Sequence, residues 1–366
     1  MIASNEDNTD NWKYIEHKKD SQTLTMMNSI FPNEVLDRLT KWKTTFIMKF
    51  IIYTFALLVS FSSFGQRADE YFDQAKKKTK EGDFNGAIVD YTKAITLDPN
   101  NAFAYNNRGL IKNNLIDYIG AITDHTKAIE INPNFDYAYL SRGDSKNSLE
   151  DYKGAIADYT KAIEINPNYD YAYVKRGLAK DSLEDYKGAI ADYTKAIEIN
   201  PNYAYAYAAR GESKYNLKDY KGAIADYTKA IEINPNYAYA YAARGESKYN
   251  LKDYKGAIAD YTKAIKINPN YDYAYVKRGL AKDSLEDYKG AILDYTKAIE
   301  INPNYAYVYS VRGLEKNNLK DYKGAIADYT KAIEINPNYD YTYAARGLAK
   351  NSLKDYKGAI ADYTKA

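Results

Sequence analysis

Residues 204–237 read AYAYAARGESKYNLKDYKGAIADYTKAIEINPNY, and this stretch decides the fold because it is repeated along the chain. Its glycine at Gly211 and its proline at Pro235 each recur at a spacing of 34 residues. When Ala204 is counted as the first place of its repeat, nine repeats fill residues 68–366 and the last one is shorter than the others. The repeats begin at Ala68, Ala102, Asp136, Asp170, Ala204, Ala238, Asp272, Ala306 and Asp340.

Each repeat reads as two helices joined by a short turn. Residues 204–217 contain no proline and are rich in side chains that favour helix. Asp219 follows in the turn, where its carboxylate can cap a second helix that runs from about Tyr220 to Ile233. The apolar residues of that second helix lie on one face, and Pro235 breaks the chain before the next repeat.

The side-chain sizes predict how the two helices pack. Gly211, Ala223 and Ala230 would let the helix backbones approach closely, while Tyr227 and Leu217 would fill the space around the crossing. One helical hairpin cannot bury its own apolar face, so neighbouring repeats must stack. The sequence therefore predicts an all-α solenoid.

The matching of particular places indicates a known family. The Ala204 repeat carries an aromatic residue, a glycine, a leucine, a second aromatic, then alanine, aromatic, alanine and proline at Tyr207, Gly211, Leu217, Tyr220, Ala223, Tyr227, Ala230 and Pro235. In these places it resembles the tetratricopeptide repeat, over about four-fifths of the chain. The resemblance implies a right-handed superhelical solenoid of antiparallel helix pairs, with about nine repeats. It also implies that the first helices line a concave face that binds extended or helical peptide segments.

Two places depart from the family pattern in a coordinated way. The leucine expected before the glycine is an arginine, as in Arg210, and the tyrosine expected three residues after the glycine is a lysine, as in Lys214. An acidic residue recurs with them in the second helix, as Asp226. Either these arginines and aspartates form a buried ladder of ion pairs, or they are solvated surface charges that contribute little each. The arginines are Arg108, Arg142, Arg176, Arg210, Arg244, Arg278, Arg312 and Arg346, and the aspartates include Asp158, Asp192 and Asp260.

The composition argues against a catalytic or metal-binding function. The chain has 51 Lys and Arg against 49 Asp and Glu, so its net charge of +2 gives no reason to expect a nucleic-acid partner. It has no Cys, which excludes disulfides and thiolate metal sites. His125 takes the place that Tyr227 has in its repeat and is therefore predicted to be a core residue. Because most acidic places recur from repeat to repeat, no single asymmetric catalytic pocket is marked. We expect no enzyme activity, no metal and no cofactor.

The first 67 residues differ from the repeats. Residues 1–47 form a polar leader that we expect to be disordered or missing from the mature protein. Residues 48–66, MKFIIYTFALLVSFSSFGQ, have a charged start, an apolar run and a small-residue exit, which is the pattern of a signal peptide. Gly65 and Gln66 are the candidate cleavage site. Met48 would then be the true start, and the alternative is an uncleaved signal-anchor.

This leader predicts an exported bacterial protein. We expect the repeats in the periplasm, on the outer envelope or secreted; the alternative is an inner-membrane anchor with the repeats outside the cytoplasm. If the leader is not cleaved, it would be the only part of the chain that contacts the membrane. The chain ends within a second helix at Ala366 without a polar capping helix. We expect either a truncated array or an end that a partner covers, with self-association through this uncapped end as one alternative.

The resemblance places candidate binding residues on the first helices. The second place of the repeat is aromatic from the Ala102 repeat onward and would face the groove, with the ninth and twelfth places beside it. Tyrosine combines a large contact area with a hydroxyl, although the same tyrosines could instead pack between adjacent repeats. The candidates are Tyr137, Tyr171, Tyr205, Tyr239, Tyr273, Tyr307 and Tyr341 at the second place, with Glu212, Tyr215, Glu246 and Tyr249 beside them.

The predicted function is a non-enzymatic protein-protein interaction scaffold that binds peptide segments on a tyrosine-rich concave face. The alternative is a structural or surface spacer that contacts envelope glycans by aromatic stacking and has no defined peptide ligand. The Ala204 and Ala238 repeats differ only at Glu232 and Lys266. Such near-identity predicts a uniform groove with multivalent binding of low specificity.

Overall fold

The computed structural model describes residues 33–366, except for the side chains of residues 33, 36, 39, 40 and 55–66. This part of the chain contains 18 helices and no strand. The helices are α1 (Asn33–Glu81), α2 (Phe84–Leu97), α3 (Ala102–Asn114), α4 (Tyr118–Ile131), α5 (Asp136–Ser148), α6 (Tyr152–Ile165), α7 (Asp170–Asp181), α8 (Tyr186–Ile199), α9 (Ala204–Asn216), α10 (Tyr220–Ile233), α11 (Ala238–Asn250), α12 (Tyr254–Ile267), α13 (Asp272–Asp283), α14 (Tyr288–Ile301), α15 (Ala306–Asn318), α16 (Tyr322–Ile335), α17 (Asp340–Ser352) and α18 (Tyr356–Tyr363).

The helix boundaries follow the sequence period. From the second repeat onward, every first helix begins at the first place of its repeat, as α9 does at Ala204. The second helix of that repeat spans Tyr220–Ile233, as predicted. Asp219 caps it by accepting a hydrogen bond of 2.9 Å from the backbone N–H of Gly222. The predicted all-α array of helical hairpins is therefore confirmed.

Within residues 105–366, each hairpin that another repeat follows is closed by the first helix of that repeat. Ala223, Tyr227 and Ala230 of α10 are at most 2% exposed, and they pack against Ala208 of α9 and Ala240 of α11. Successive helices contact one another in this way along the second compact part of the chain. The apolar stripe of each second helix is thus buried on both sides, which explains why the repeat is stable only as part of a stack.

Two details of this packing differ from the sequence prediction. A Cβ atom on Gly211 would lie 3.0 Å from Cε1 of Tyr227, so the glycine makes room for a tyrosine ring rather than for a second backbone. Leu217, predicted to fill the helix crossing, is 42% exposed. It occupies the C-cap position of α9, where the chain turns towards α10 and only part of the side chain meets the core.

The chain divides into two compact parts, Met1–Ala104 and Tyr105–Ala366. Within the first, α1 runs for 49 residues without a break from Asn33 to Glu81, and α2 packs on it. The helix therefore includes residues 48–66, and its final turns are the first helix of the Ala68 repeat. Residues 1–32 of the predicted leader lie outside the described residues, and of the candidate cleavage site, Gly65 and Gln66, only the backbone is described. Of the helices described, none combines the length and the apolar character that crossing a membrane requires.

Candidate functional site

The face that carries the candidate residues is held in place by a buried charge cluster in each repeat. Arg210 donates from Nε and Nη2 to the two carboxylate oxygens of Asp226, at 2.9 and 2.7 Å. Lys214 Nζ lies 2.7 Å from Asp226 Oδ2. Asp226 is only 4% exposed. The three charged places that depart from the family pattern therefore form one cluster, and of the two alternatives for these residues the buried ladder is confirmed.

The same arginine connects one repeat to the previous one. Arg210 Nη1 donates to Thr194 Oγ1 of the preceding second helix at 3.0 Å, and its guanidinium carbon lies 5.5 Å from the ring centre of Tyr207. A planar guanidinium suits such a site because it can pair with a carboxylate, bond a third acceptor and cover an aromatic face at once. The equivalent arginines that donate to a threonine of the preceding repeat are Arg142, Arg176, Arg244, Arg278, Arg312 and Arg346.

In the last repeat, the hydrogen bonds of the cluster favour the ionised form of its aspartate. Burial alone would raise the pKa of Asp362, but hydrogen bonds from Arg346 and Lys350 outweigh burial and lower the pKa below its usual value. From the Ala102 repeat onward, charge-assisted hydrogen bonds of this kind join the first helix of each repeat to its second helix. The candidate side chains therefore extend from a helix whose position is fixed.

The second-place tyrosines are half-buried, so both sequence interpretations describe part of them. The ring of Tyr239 lies 5.9 Å from that of Tyr237, which precedes it in the turn, and Tyr205 lies 6.4 Å from Tyr203. Each ring keeps part of its surface in solvent. The exposed fractions are 41% for Tyr137, 39% for Tyr171, 43% for Tyr205, 37% for Tyr239, 37% for Tyr273, 38% for Tyr307 and 58% for Tyr341.

Two of these tyrosines are fixed at their hydroxyls by the ninth-place carboxylates. Tyr239 Oη donates to Glu212 Oε2 at 2.7 Å, and Tyr273 Oη donates to Glu246 Oε2 at 3.1 Å. Burial, followed by the neighbouring Tyr227 and Glu212, raises the pKa of Tyr239 far above its ordinary value. The phenol therefore stays neutral and remains a hydrogen-bond donor. A ring held at both ends presents its face with little loss of conformational entropy on binding.

The tyrosines and glutamates line clefts between successive first helices. One cleft, of about 330 Å³, is lined by Glu212, Tyr215, Tyr239, Ala243, Glu246 and Tyr273, among others. A second, of about 310 Å³, lies one repeat earlier and is lined by Leu178, Asp181, Tyr205, Glu212 and Tyr239. We call the side chains Tyr205, Tyr239, Tyr273, Glu212, Tyr215 and Glu246 the tyrosine face.

Other candidates lie apart from these two clefts. Tyr249 is on the same helix face as Glu246, but its hydroxyl is 3.3 Å from Ser284 Oγ of the following repeat. Tyr137, Tyr171, Tyr307 and Tyr341 occupy the second place of other repeats and do not line either cleft. Sequence reasoning missed the sixth-place residues, such as Ala243 and Lys277. Their signal was a lysine at this place in the Asp170 and Asp272 repeats and an alanine in the Ala204 and Ala238 repeats. This difference carries meaning only when it is compared with the ninth place of the preceding repeat.

His125 is a core residue, as predicted. It is fully buried, its Nδ1 lies 3.0 Å from Asn106 Oδ1, and its Nε2 has no hydrogen-bond partner. Burial lowers the pKa of His125 to about 4, so the imidazole is neutral near pH 7. Within residues 33–366 no three acidic or histidine side chains are grouped so that they could hold a metal ion.

Comparisons with known proteins match most of the repeat array. The family model described as Tetratricopeptide repeat matches residues 171–203, 204–237, 238–271, 273–305 and 306–339, and the one described as TPR repeat matches residues 75–114 and 143–180. No curated protein matches the chain.

Two solved structures with TM-scores above 0.5 show the same architecture. A tetratricopeptide repeat protein from Parabacteroides merdae is 21% identical with a TM-score of 0.53, and the match covers 68% of this chain and 99% of that one. The C-terminal part of a TPR repeat-containing protein from Cytophaga hutchinsonii is 19% identical with a TM-score of 0.56, over 65% of this chain and 98% of that one. YrrB, described as a TPR protein with an unusual peptide-binding site, is 24% identical with a TM-score of 0.44, over 50% of this chain and 95% of that one.

Stacked 34-residue hairpins with a groove on their first helices define a class of helical-repeat scaffold. The matched repeats make up more than half of the sequence, and the chain belongs to the tetratricopeptide repeat family. Members of this family are generally non-enzymatic scaffolds that bind protein partners or peptides. At 19% and 21% identity the two structures with the higher TM-scores show the fold alone.

Proposed function

We propose that this chain is an exported interaction scaffold that binds peptide segments along the tyrosine face. One observation carries the proposal. In neighbouring repeats a tyrosine ring is packed on one side, hydrogen-bonded at its hydroxyl to a carboxylate, and exposed on the other side within a cleft. Rigid aromatic side chains of this kind supply contact area at a low entropic cost, which is why protein-binding surfaces favour them.

Peptide capture by the full-length chain tests this proposal. An array of defined random-sequence peptides is probed with the wild-type chain and with a variant that combines Tyr205→Ala, Tyr239→Ala and Tyr273→Ala. We expect the variant to lose at least tenfold in signal on the peptides that the wild-type chain captures. Tyr356→Ala is the matched control, because Tyr356 is 59% exposed in the last repeat and lies outside both clefts. Capture that survives the triple variant would place binding elsewhere. Retention on envelope polysaccharide without peptide capture would favour the spacer.

Export is the second part of the proposal, and residues 48–66 support it by their charged start, apolar run and small-residue exit. Expression of the full chain in a Gram-negative host, with N-terminal sequencing of the product from each compartment, tests this part. We expect a periplasmic product that begins at or near Gln66. A cytoplasmic product that retains residues 48–66 would contradict export, and an envelope-bound product that retains them would indicate the signal-anchor.

A further inference from the structure

An acidic residue at the ninth place of one repeat is paired with a lysine at the sixth place of the next repeat. Lys277 Nζ lies 2.8 Å from Glu246 Oε1. The same ammonium group lies 5.3 Å from the ring centre of Tyr273, the second-place tyrosine of its own repeat. Glu246 also accepts hydrogen bonds from Tyr261 and Tyr273, each at 3.1 Å, and its side chain is only 15% exposed. The lysine thus completes a site made of a carboxylate and the ring of one tyrosine.

A second pair shows the same arrangement in another part of the array. Lys175 Nζ lies 3.2 Å from Asp144 Oδ1 and 5.1 Å from the ring centre of Tyr171. Where the ninth place is apolar, the sixth place of the next repeat carries no charge, as with Leu178 and Ala209. The lysine is therefore present where an acidic residue needs a counterion.

Glu212 breaks this rule. It is a ninth-place acid, but the sixth place of the next repeat is Ala243. Its carboxylate accepts a hydrogen bond from Tyr239, and in residues 33–366 no lysine or arginine forms an ion pair with it. Glu212 is exposed where Glu246 is covered. The face of Tyr239 likewise lacks the ammonium group that lies over Tyr273.

The space left by the missing lysine is part of the larger cleft. Glu212, Tyr239 and Ala243 all line the cleft of about 330 Å³, together with Tyr215. A carboxylate beside an aromatic face is the combination that attracts an ammonium or guanidinium group, through an ion pair and a cation–π contact. The cleft therefore has the charge and the shape for one cationic side chain.

We propose that this cleft binds a lysine or arginine side chain of the peptide ligand, whose charged group takes the position on Glu212 and Tyr239 that Lys277 takes on Glu246 and Tyr273. This inference rests on peptide binding at the tyrosine face. It adds that the ligand is recognised by a cationic residue between the Ala204 and Ala238 repeats.

The repeats supply matched variants for a test. Ala243→Lys introduces the lysine that the Asp272 repeat already holds at the same place as Lys277, so the chain would fill its own cleft. Lys277→Ala removes the internal lysine and opens an equivalent site on Glu246. Glu212→Gln keeps the size of the side chain and the acceptor for Tyr239 while it removes the charge. Circular dichroism of each variant checks that the helices are retained, which we expect because both sixth-place residues occur naturally on this backbone.

Calorimetric titration of the full chain uses two acetylated and amidated heptapeptides, Gly-Lys-Gly-Lys-Gly-Lys-Gly and the same sequence with norleucine for lysine. We expect the lysine peptide to bind the wild-type chain, to lose at least tenfold in affinity with Ala243→Lys and with Glu212→Gln, and to gain binding sites with Lys277→Ala. Its affinity should fall with added salt.

Three results would overturn the inference: no binding of the lysine peptide to the wild-type chain, equal affinity for the two peptides, or equal affinity of the wild-type and Ala243→Lys chains for the lysine peptide. Peptide binding itself is judged separately. Array peptides without lysine or arginine that are captured by the wild-type chain and lost with the triple tyrosine variant would support the proposed function even if the cationic site failed.

Discussion

Replacing Arg210 by leucine removes the centre of one buried charge cluster while restoring the residue type of the family pattern. Arg210 makes two hydrogen bonds to Asp226 and one to Thr194, at 2.7 to 3.0 Å. Asp226 is 4% exposed, so water cannot replace these bonds without local opening. Removing one partner of a buried ion pair typically costs about 3–5 kcal/mol. Lys214 remains 2.7 Å from the carboxylate, so we expect a loss near the low end, about 3 kcal/mol.

The loss should be local, because each repeat of a solenoid contacts only its neighbours. Hydrogen exchange followed by mass spectrometry resolves this, since exchange from a locally opened segment reports the free energy of that opening. We expect the amides of α9 and α10 to exchange about 100-fold faster in Arg210→Leu, with little change in α14 and beyond. Lys229→Ala is the matched control, because it removes an exposed ion pair with Glu232 in the same repeat and should leave exchange unchanged.

A second variant separates the value of the ion pairs from the damage of breaking them. The triple change Arg210→Leu, Lys214→Tyr and Asp226→Ala removes all three charges together. Replacing a buried charge cluster by apolar residues is often neutral or stabilising, so we expect the triple variant to recover most of the lost protection. Unchanged exchange in Arg210→Leu would refute the reasoning and return these residues to the class of solvated charges.

Three further predictions concern single places in the array. The folded pKa of His125 is about 4, below the ordinary 6.5, so the contribution of neutral His125 to stability around α4 is fully present above pH 6.5. It falls by up to about 1.4 kcal/mol per pH unit as the pH drops towards 4. His125→Tyr should remove this pH dependence in hydrogen exchange measured at several pH values. Burial and Asp283 raise the pKa of Glu315 to about 7. The stability of the packing between α13 and α15 is therefore full below pH 4.5 and is lost as the pH rises through 7. Glu315→Ser should slow hydrogen exchange in α15 at pH 8. Lys218 has a φ of +63°, so Lys218→Gly should stabilise the turn by about 0.5–1 kcal/mol in the same assay.

A different experimental result would contradict each of these three predictions. A pH profile of α4 that is the same in His125→Tyr would mean that another group titrates there. Lower protection of α15 at pH 8 in Glu315→Ser would show that the ionised glutamate is stabilising. Faster exchange near α10 in Lys218→Gly would show that the lysine side chain contributes more than its backbone strain costs. The converse change at Gly82, which has a φ of +82°, should be destabilising when alanine is introduced.

The fold was predictable because its signals are local and recur at a fixed period. Pro235 ends one repeat and Asp219 caps one helix, so the boundaries of α9 and α10 follow from the sequence. The contact between Gly211 and the ring of Tyr227 was not predictable, since it depends on how two helices cross. The state of Arg210 stayed open for the same reason, because Asp226 lies on another helix and only the crossing angle brings the two together.

The candidate site was predictable in part. The resemblance to the family directed attention to the second and ninth places of the first helix, and the structure brings Tyr239 and Glu212 within hydrogen-bond distance. The pairing of Glu246 with Lys277 was missed because it joins different places of adjacent repeats, 31 residues apart. A search for periodicity compares the same place in successive repeats. It therefore does not detect a pairing between the ninth place of one repeat and the sixth place of the next.

That pairing rule changes what near-identity between repeats means for specificity. Helices α9 and α11 have the same sequence, which by itself predicts two equal binding surfaces. Their ninth-place glutamates nevertheless differ, because each cleft takes its sixth place from the following repeat: Ala243 beside Glu212, and Lys277 beside Glu246. The buried clusters, by contrast, stay the same from Arg108 onward. Each cleft is formed by two neighbouring repeats, so its properties depend on which repeat follows the one that carries the acidic residue. The order of the repeats can therefore produce distinct binding sites on a constant scaffold, while the repeat with the acidic residue stays the same.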